Sequence, residues 1–177
     1  VKRCVYRIKP HASQFDTRSV LGGMCKFKKV TEQEQMCPSA NEDNGAVTRT
    51  LEAITATEDA VVDAALMSQK AGFDWMEIHG AHGYLLCQFL SSDINKREDD
   101  YGGELSNRTR ILDNIIAGVQ QSCGADFSLA LRLSPTRFGI QLDEIVSYYE
   151  RLCKTGALDF IDMSLWDVFE EVSEGPH

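Results

Sequence analysis

From residue 55 onward, apolar positions recur with two alternating periods. "TATEDAVVDAALMSQKAG" (55–72) spaces Ala60, Val61, Ala64, Ala65 and Met67 at helical intervals, and Gly72 ends the run. Thr57 is the expected N-cap, with Glu58 and Asp59 suited to the first turn. "FDWMEIHG" (73–80) is a short, mostly apolar strand ending at Gly80. "SNRTRILDNIIAGVQQSCG" (106–124) predicts a second helix with Ile111, Ile115, Ile116 and Val119 as its buried face and Gly124 as its stop. "FSLALRLS" (127–134) alternates Leu129, Leu131 and Leu133 as a strand. "QLDEIVSYYERLCKTG" (141–156) is a third helix, with Ile145, Val146, Tyr149 and Leu152 on one face, and "LDFIDMSL" (158–165) is a third strand.

Helix, strand, helix, strand, helix, strand implies crossover units and a parallel sheet. The N-terminal region contrasts with this. "CVYRI" suggests a strand at residues 3–8, while the polar, turn-rich stretch that follows reads as loop. The chain is therefore expected to form one domain, 1–177, with an irregular part (1–55) and regular βα units (56–177). Two architectures suit such alternation, a doubly wound open sheet and part of a (β/α)8 barrel. The Gly-rich dinucleotide fingerprint is absent, because "GAHGYL" places bulky residues where a phosphate loop needs small ones. Polar residues cluster just past strand C-termini: His79; Arg132 and Ser134; Ser164 and Asp167. A barrel with its site on the C-terminal face has that distribution. The expected fold is α/β, a partial (β/α)8 barrel of about three to four βα units.

Composition narrows the function classes. With 43% hydrophobic and 25% charged residues over 177 positions, the chain has the makeup of a globular domain. A net charge of -9 repels phosphate backbones, which argues against nucleic acid. No apolar run reaches the ~20 residues of a membrane helix. Six cysteines, none in a C-x-x-C pair, argue for reduced, buried thiols in a cytoplasmic protein.

Two of the four histidines, His79 and His82, stand three apart at a strand end, each followed by glycine. Paired imidazole N–H groups polarise a carbonyl, bind a carboxylate or stabilise an enolate. Tyr84 offers a proton through its hydroxyl. Arg132, on the neighbouring strand, brings a permanent positive charge to the same end. A metal site at His79 and His82 is the competing reading, but it needs three convergent ligands and only two are visible. A pair of satisfied core histidines is the structural alternative.

"AGFDWMEIHGAHGYLLCQFLSSDINKREDDYGGELSNRTRILDNI" resembles the signature stretch of the Old Yellow Enzyme family, the NADH:flavin oxidoreductases and FMN-dependent ene-reductases. "LALRLSP" and "LDFIDMSLWDVF" resemble the next two barrel strands, so the likeness runs over residues ~37–170. The resemblance implies that His79 and His82 bind the substrate's carbonyl or nitro oxygen, with His79 also near the flavin pyrimidine edge. It implies Tyr84 as the proton donor and Arg132 as the residue beside flavin N1 and O2. It implies FMN and NAD(P)H as cofactors, and an activated alkene such as an α,β-unsaturated carbonyl as hydride acceptor. Asn95, Arg97, Asp99 and Tyr101-Gly102-Gly103 are expected to organise the loop after the strand. Cys87 stands where a polar residue is usual, and no role is carried onto His11 or Gln14.

A complete barrel takes ~250 residues. The chain is thus expected to be a fragment or a non-catalytic remnant, holding the substrate-polarising centre without most of the flavin cradle. Alone it is expected to be poorly soluble or to associate, as a homo-oligomer for instance, and to bind FMN weakly or not at all.

Overall fold

The computed structural model describes residues 36–40, 46–165 and 169. The strand expected at 3–8 lies outside them, as do Cys4, Cys25, His11, Gln14, Asp167 and His177. In order, the elements are β1 (Met36–Cys37), β2 (Val47–Thr48), α1 (Leu51–Lys70), β3 (Trp75–Gly80), α2 (Leu85–Leu90), α3 (Leu105–Arg108), α4 (Arg110–Cys123), β4 (Ser128–Leu133), α5 (Leu142–Thr155) and β5 (Phe160–Met163). The short β1 and β2 pair in parallel. The main sheet is parallel throughout, in the order β3-β4-β5. It is an α/β fold, as the alternation predicts.

In this sheet one face carries Met76 and Ile78 of β3 and Leu129, Leu131 and Leu133 of β4, all buried in the main apolar cluster with α2 and α4. Ile111, Ile115, Ile116 and Val119 of α4 lie in the same cluster, as their spacing predicts. Helices α1 and α4 approach closely where Gly118 faces Val62. A Cβ at position 118 would sit 2.7 Å from Val62 Cγ2, a contact on a stiff, β-branched side chain that only a helix shift relieves.

Three local expectations are corrected. Helix α1 begins at Leu51, not after Thr57, and its N-cap is Thr50, whose hydroxyl accepts from Ala53 N at 3.2 Å. Thr57 is buried within the helix and donates to Ala53 O at 2.7 Å. Thr50 is as good a cap as Thr57, and Ile54 extends the apolar stripe one turn upstream. The buried stripe of α1 is Ile54, Thr57, Ala64, Ala65 and Ser68, which leaves Met67 exposed. On α5 the buried residues are Ile145, Tyr148 and Leu152, while Val146 and Tyr149 are exposed. Tyr148 is drawn inward because its hydroxyl reaches Asp113 Oδ1 on α4 at 3.1 Å, and Arg151 lies over its ring.

The loop after α2 is organised by the residues expected to do so. Asn95 Nδ2 donates to Phe89 O and Tyr101 O at 2.8 and 2.7 Å. Arg97 grips Asp99 through Nε and Nη2 at 2.9 and 2.5 Å, and its Nη1 donates to the carbonyls of Pro38 and Arg49. Gly102 packs so tightly on this loop that a Cβ there would lie 2.1 Å from the Arg97 carbonyl oxygen. Buried Arg108 pairs with Glu144 and donates to Leu90 O, tying α3 to α5 and α2. Cys87, Cys123 and Cys153 are free thiols. Cys87 and Cys123 are buried as expected, whereas Cys153 is exposed. Burial pushes the Cys87 thiol up to about 11.

Candidate active site at the strand ends

The in-register parallel pairing aligns His79 with Arg132 and Arg132 with Asp162. Directly paired residues project to the same face, so the three side chains form one row across the sheet. Glu77, two residues before His79, shares that face. Arg132 Nε lies 3.0 Å from Asp162 Oδ2, and Arg132 Nη2 donates to Ser164 Oγ at 3.0 Å.

Beyond Gly80 the chain turns sharply. His82 adopts a left-handed backbone with φ 61°, uncommon for a residue with a Cβ. Its N–H donates to Ser134 Oγ at 3.0 Å, which ties the turn to the end of β4. Its Nε2 lies 2.5 Å from Ser164 Oγ at the end of β5. Tyr84 is the N-cap residue of α2, a helix buried along its whole length. Gln88 on that helix donates from Nε2 to Gly83 O at 2.8 Å and braces the turn from behind.

The turn brings three rings together. Ring centroids are 5.1 Å apart for His79 and His82, 5.2 Å for His79 and Tyr84, and 6.4 Å for His82 and Tyr84. All four residues singled out from the sequence therefore meet at one end of the sheet, with Arg132 beside His79. Burial first, then the Arg132 charge, hold the His82 imidazole below its ordinary value of 6.5, against the opposing pull of Asp162. A neutral ring offers one N–H donor and one lone pair. Burial, reinforced by Asp162 and countered by Arg132, raises the Glu77 carboxyl above its ordinary 4.5.

Three residues of this arrangement were not assigned a role from sequence. Asp162 sits in an apolar run where nothing local marks it, and only the register sets it opposite Arg132. Ser134 and Ser164 stand out as polar positions at strand ends, but their common partner His82 is 52 and 82 residues distant in sequence. Among the described residues, no group of three His, Cys, Asp or Glu side chains could hold a metal ion, so the metal reading finds no third ligand there. No described helix is long and apolar enough to cross a membrane.

Known proteins resemble the chain over most of its length. A family model described as the NADH:flavin oxidoreductase / NADH oxidase family matches residues 14–169. An NADPH dehydrogenase from Halalkalibacterium halodurans is 43% identical over 118 residues, which is 65% of this chain and 34% of that protein. An NADPH dehydrogenase from Listeria monocytogenes is 38% identical over 144 residues, covering 77% of this chain and 42% of that one. The crystal structure of Old Yellow Enzyme from a Pichia species superposes with a TM-score of 0.62 at 38% identity, over 72% of this chain and 40% of that one. The chain thus spans roughly two fifths or less of the length of these relatives. With nearly all of its residues matched and its histidine pair, tyrosine and arginine gathered at the strand ends, the chain belongs to the NADH:flavin oxidoreductase / NADH oxidase family.

Proposed function

We propose that this chain forms the substrate-polarising part of an FMN-dependent oxidoreductase that passes hydride from NAD(P)H through the flavin to an activated alkene such as an α,β-unsaturated carbonyl. Its three parallel strands are then part of a (β/α)8 barrel, and the face carrying His79, Arg132 and Asp162 is the barrel's inner face. The observation that carries the reading is the cluster of the His79, His82 and Tyr84 rings within 6.4 Å of one another, beside the fixed charge of Arg132. Further strands, or a second copy of the chain, are supported as neighbours by the edges of β3 and β5, which pair with no other strand among the described residues. Free thiols at Cys87, Cys123 and Cys153 support a cytoplasmic setting.

The donor set fits FMN. The electron-rich pyrimidine edge of a flavin calls for a cation and hydrogen-bond donors, and Arg132 with His79 supplies both. Arg132 keeps its guanidinium aimed by Asp162 on one side and Ser164 on the other, with further N–H donors beyond those two contacts. When bound, FMN supplies the hydride.

The protein's own groups do the rest. His79 and His82 donate hydrogen bonds to the acceptor's oxygen, drawing electron density away from the alkene. Tyr84 delivers its hydroxyl proton to the carbon α to the carbonyl as hydride reaches the β-carbon. One hydride and one proton thus saturate the double bond, and a water proton returns to Tyr84. The depressed basicity of His82 keeps the ring a neutral donor near pH 7, so that the oxygen is polarised without losing the proton inventory to the ring.

The test is a titration of FMN with the full chain, followed by quenching of flavin fluorescence, for the wild type and Arg132→Leu. Loss of a charge-assisted hydrogen bond is worth about 1.5–3 kcal/mol, so binding should weaken roughly tenfold or more. Measurable binding that Arg132→Leu leaves unchanged overturns the proposal.

A further inference from the structure

Ser164 takes no part in the chemistry just described, yet it touches two of the residues that do. It lies past the C-terminal end of β5 and is 8% exposed. A serine hydroxyl has one proton and two lone pairs. Arg132 Nη2 donates to its oxygen at 3.0 Å, and a guanidinium has no acceptor, so one lone pair is occupied by that bond. His82 Nε2 lies 2.5 Å from the same oxygen. If Nε2 carried the ring proton, the oxygen would accept twice and its own proton would have neither neighbour to go to. Among the described residues no other partner of Ser164 Oγ is recorded. If Nε2 carries the lone pair, the hydroxyl donates to it, and both the Ser164 proton and the Nε2 lone pair are satisfied. With Ser164 itself buried, the second arrangement is the stable one.

The rest of His82 is held to the same end. Its left-handed main chain is anchored by the N–H to Ser134 Oγ bond, and Ser134 is 3% exposed. Two serines at the ends of adjacent strands thus hold one histidine, Ser134 by its backbone and Ser164 by its ring. Left-handed backbone at a non-glycine residue persists only where the surroundings over-determine it.

We propose that Ser164 is a positioning residue that locks His82 in the tautomer protonated at Nδ1, with Arg132 orienting the Ser164 proton. Nδ1 is then the nitrogen of His82 that donates to a substrate oxygen. That consequence rests on the proposed function; the tautomer itself does not. Burial and the Arg132 charge keep the ring neutral, the state in which a tautomer can be chosen at all.

The test is long-range proton–nitrogen NMR of the 15N-labelled full chain near neutral pH, with the His82 signals identified by their loss in His82→Gln. The expected spectrum shows Nε2 as the unprotonated nitrogen and Nδ1 as the protonated one. Ser164→Ala should move the ring toward the Nε2–H form by several-fold in population, and Ser164→Thr, which keeps the hydroxyl, should restore the wild-type pattern. A wild-type ring protonated at Nε2 overturns the proposal without recourse to any variant, so misfolding of Ser164→Ala cannot shelter it. An unchanged ring in a folded Ser164→Ala chain overturns it as well. FMN titration of the same samples separates the two readings. A wrong tautomer in a chain that binds flavin defeats this inference alone, and the expected tautomer in a chain whose flavin binding survives Arg132→Leu unchanged defeats the proposed function alone.

Discussion

The two faces of the β3-β4-β5 sheet are built from the same strands by opposite rules. On one face Met76, Ile78, Leu129, Leu131 and Leu133 are at most 2% exposed and pack beneath helices. On the other, Glu77, His79, Arg132 and Asp162 form a charged row, with the Trp75 and Phe160 rings meeting edge-on at 5.4 Å nearby and Phe160 45% exposed. The covered face asks its residues only to be apolar and of the right volume. The open face depends on identity and register, because each group there acts through a particular neighbour. Stability and chemistry are therefore separable by mutating adjacent residues of one strand.

The sharpest way to break that separation is Leu131→Ala beside Arg132. Truncating a fully buried leucine should cost about 2–5 kcal/mol, read as a fall in the urea midpoint. A loss below about 1 kcal/mol would show that the covered face is not the core of the fold.

Asp162→Asn on the open face should cost far less. The Arg132–Asp162 pair is 32% and 40% exposed on its two sides, and exposed ion pairs contribute about 0–1 kcal/mol. Its effect should fall on Arg132 instead, as weaker FMN binding in the fluorescence titration. A stability loss as large as that of Leu131→Ala would erase the distinction between the faces.

The smallest effect is in the pH dependence of stability, where two groups of the open face act with opposite signs. His82 has a folded pKa below 6.5, so the unfolded chain binds more protons in the window just under that value, and stability rises with pH through it. Glu77 has a folded pKa above 4.5, so the folded chain binds more protons just above that value, and its contribution falls as pH rises through the window. Burial is the main cause of both shifts, and both groups also feel the opposed charges of Arg132 and Asp162. Urea midpoints measured against pH should rise more steeply from acid to neutral in Glu77→Gln and more shallowly in His82→Gln. Parallel curves for the two variants and the wild type would remove the role assigned to this row.

Much of the fold is legible in the chain because its signals are local. The leucines of β4 alternate with period two, and the isoleucines of α4 recur with period near 3.6, whatever the rest of the molecule does. Helix α2 was not legible. All six of its residues are buried, so it has no polar side to give a period. The true start of α1 was hidden because Thr50 and Thr57 carry the same capping group, and only packing against the rest of the fold distinguishes them. On α5 a one-residue rotation of the buried stripe follows from a hydrogen bond between Tyr148 and Asp113, 35 residues apart. Of the site, the histidine pair, Tyr84 and Arg132 stood out because rare residue types fall at strand ends.

By itself the sequence determined the alternation of the main helices and strands, the parallel sheet and the family, and it singled out the candidate site residues. These rest on periodicity and on short motifs, which are properties of neighbours along the chain. Only the tertiary structure decided that Asp162 stands opposite Arg132, that the two strand-end serines converge on His82, and that the rings of His79, His82 and Tyr84 meet. Register between strands and the path of a turn are set by contacts distant in sequence, and a shift of one residue in register would send every group of the row to the other face.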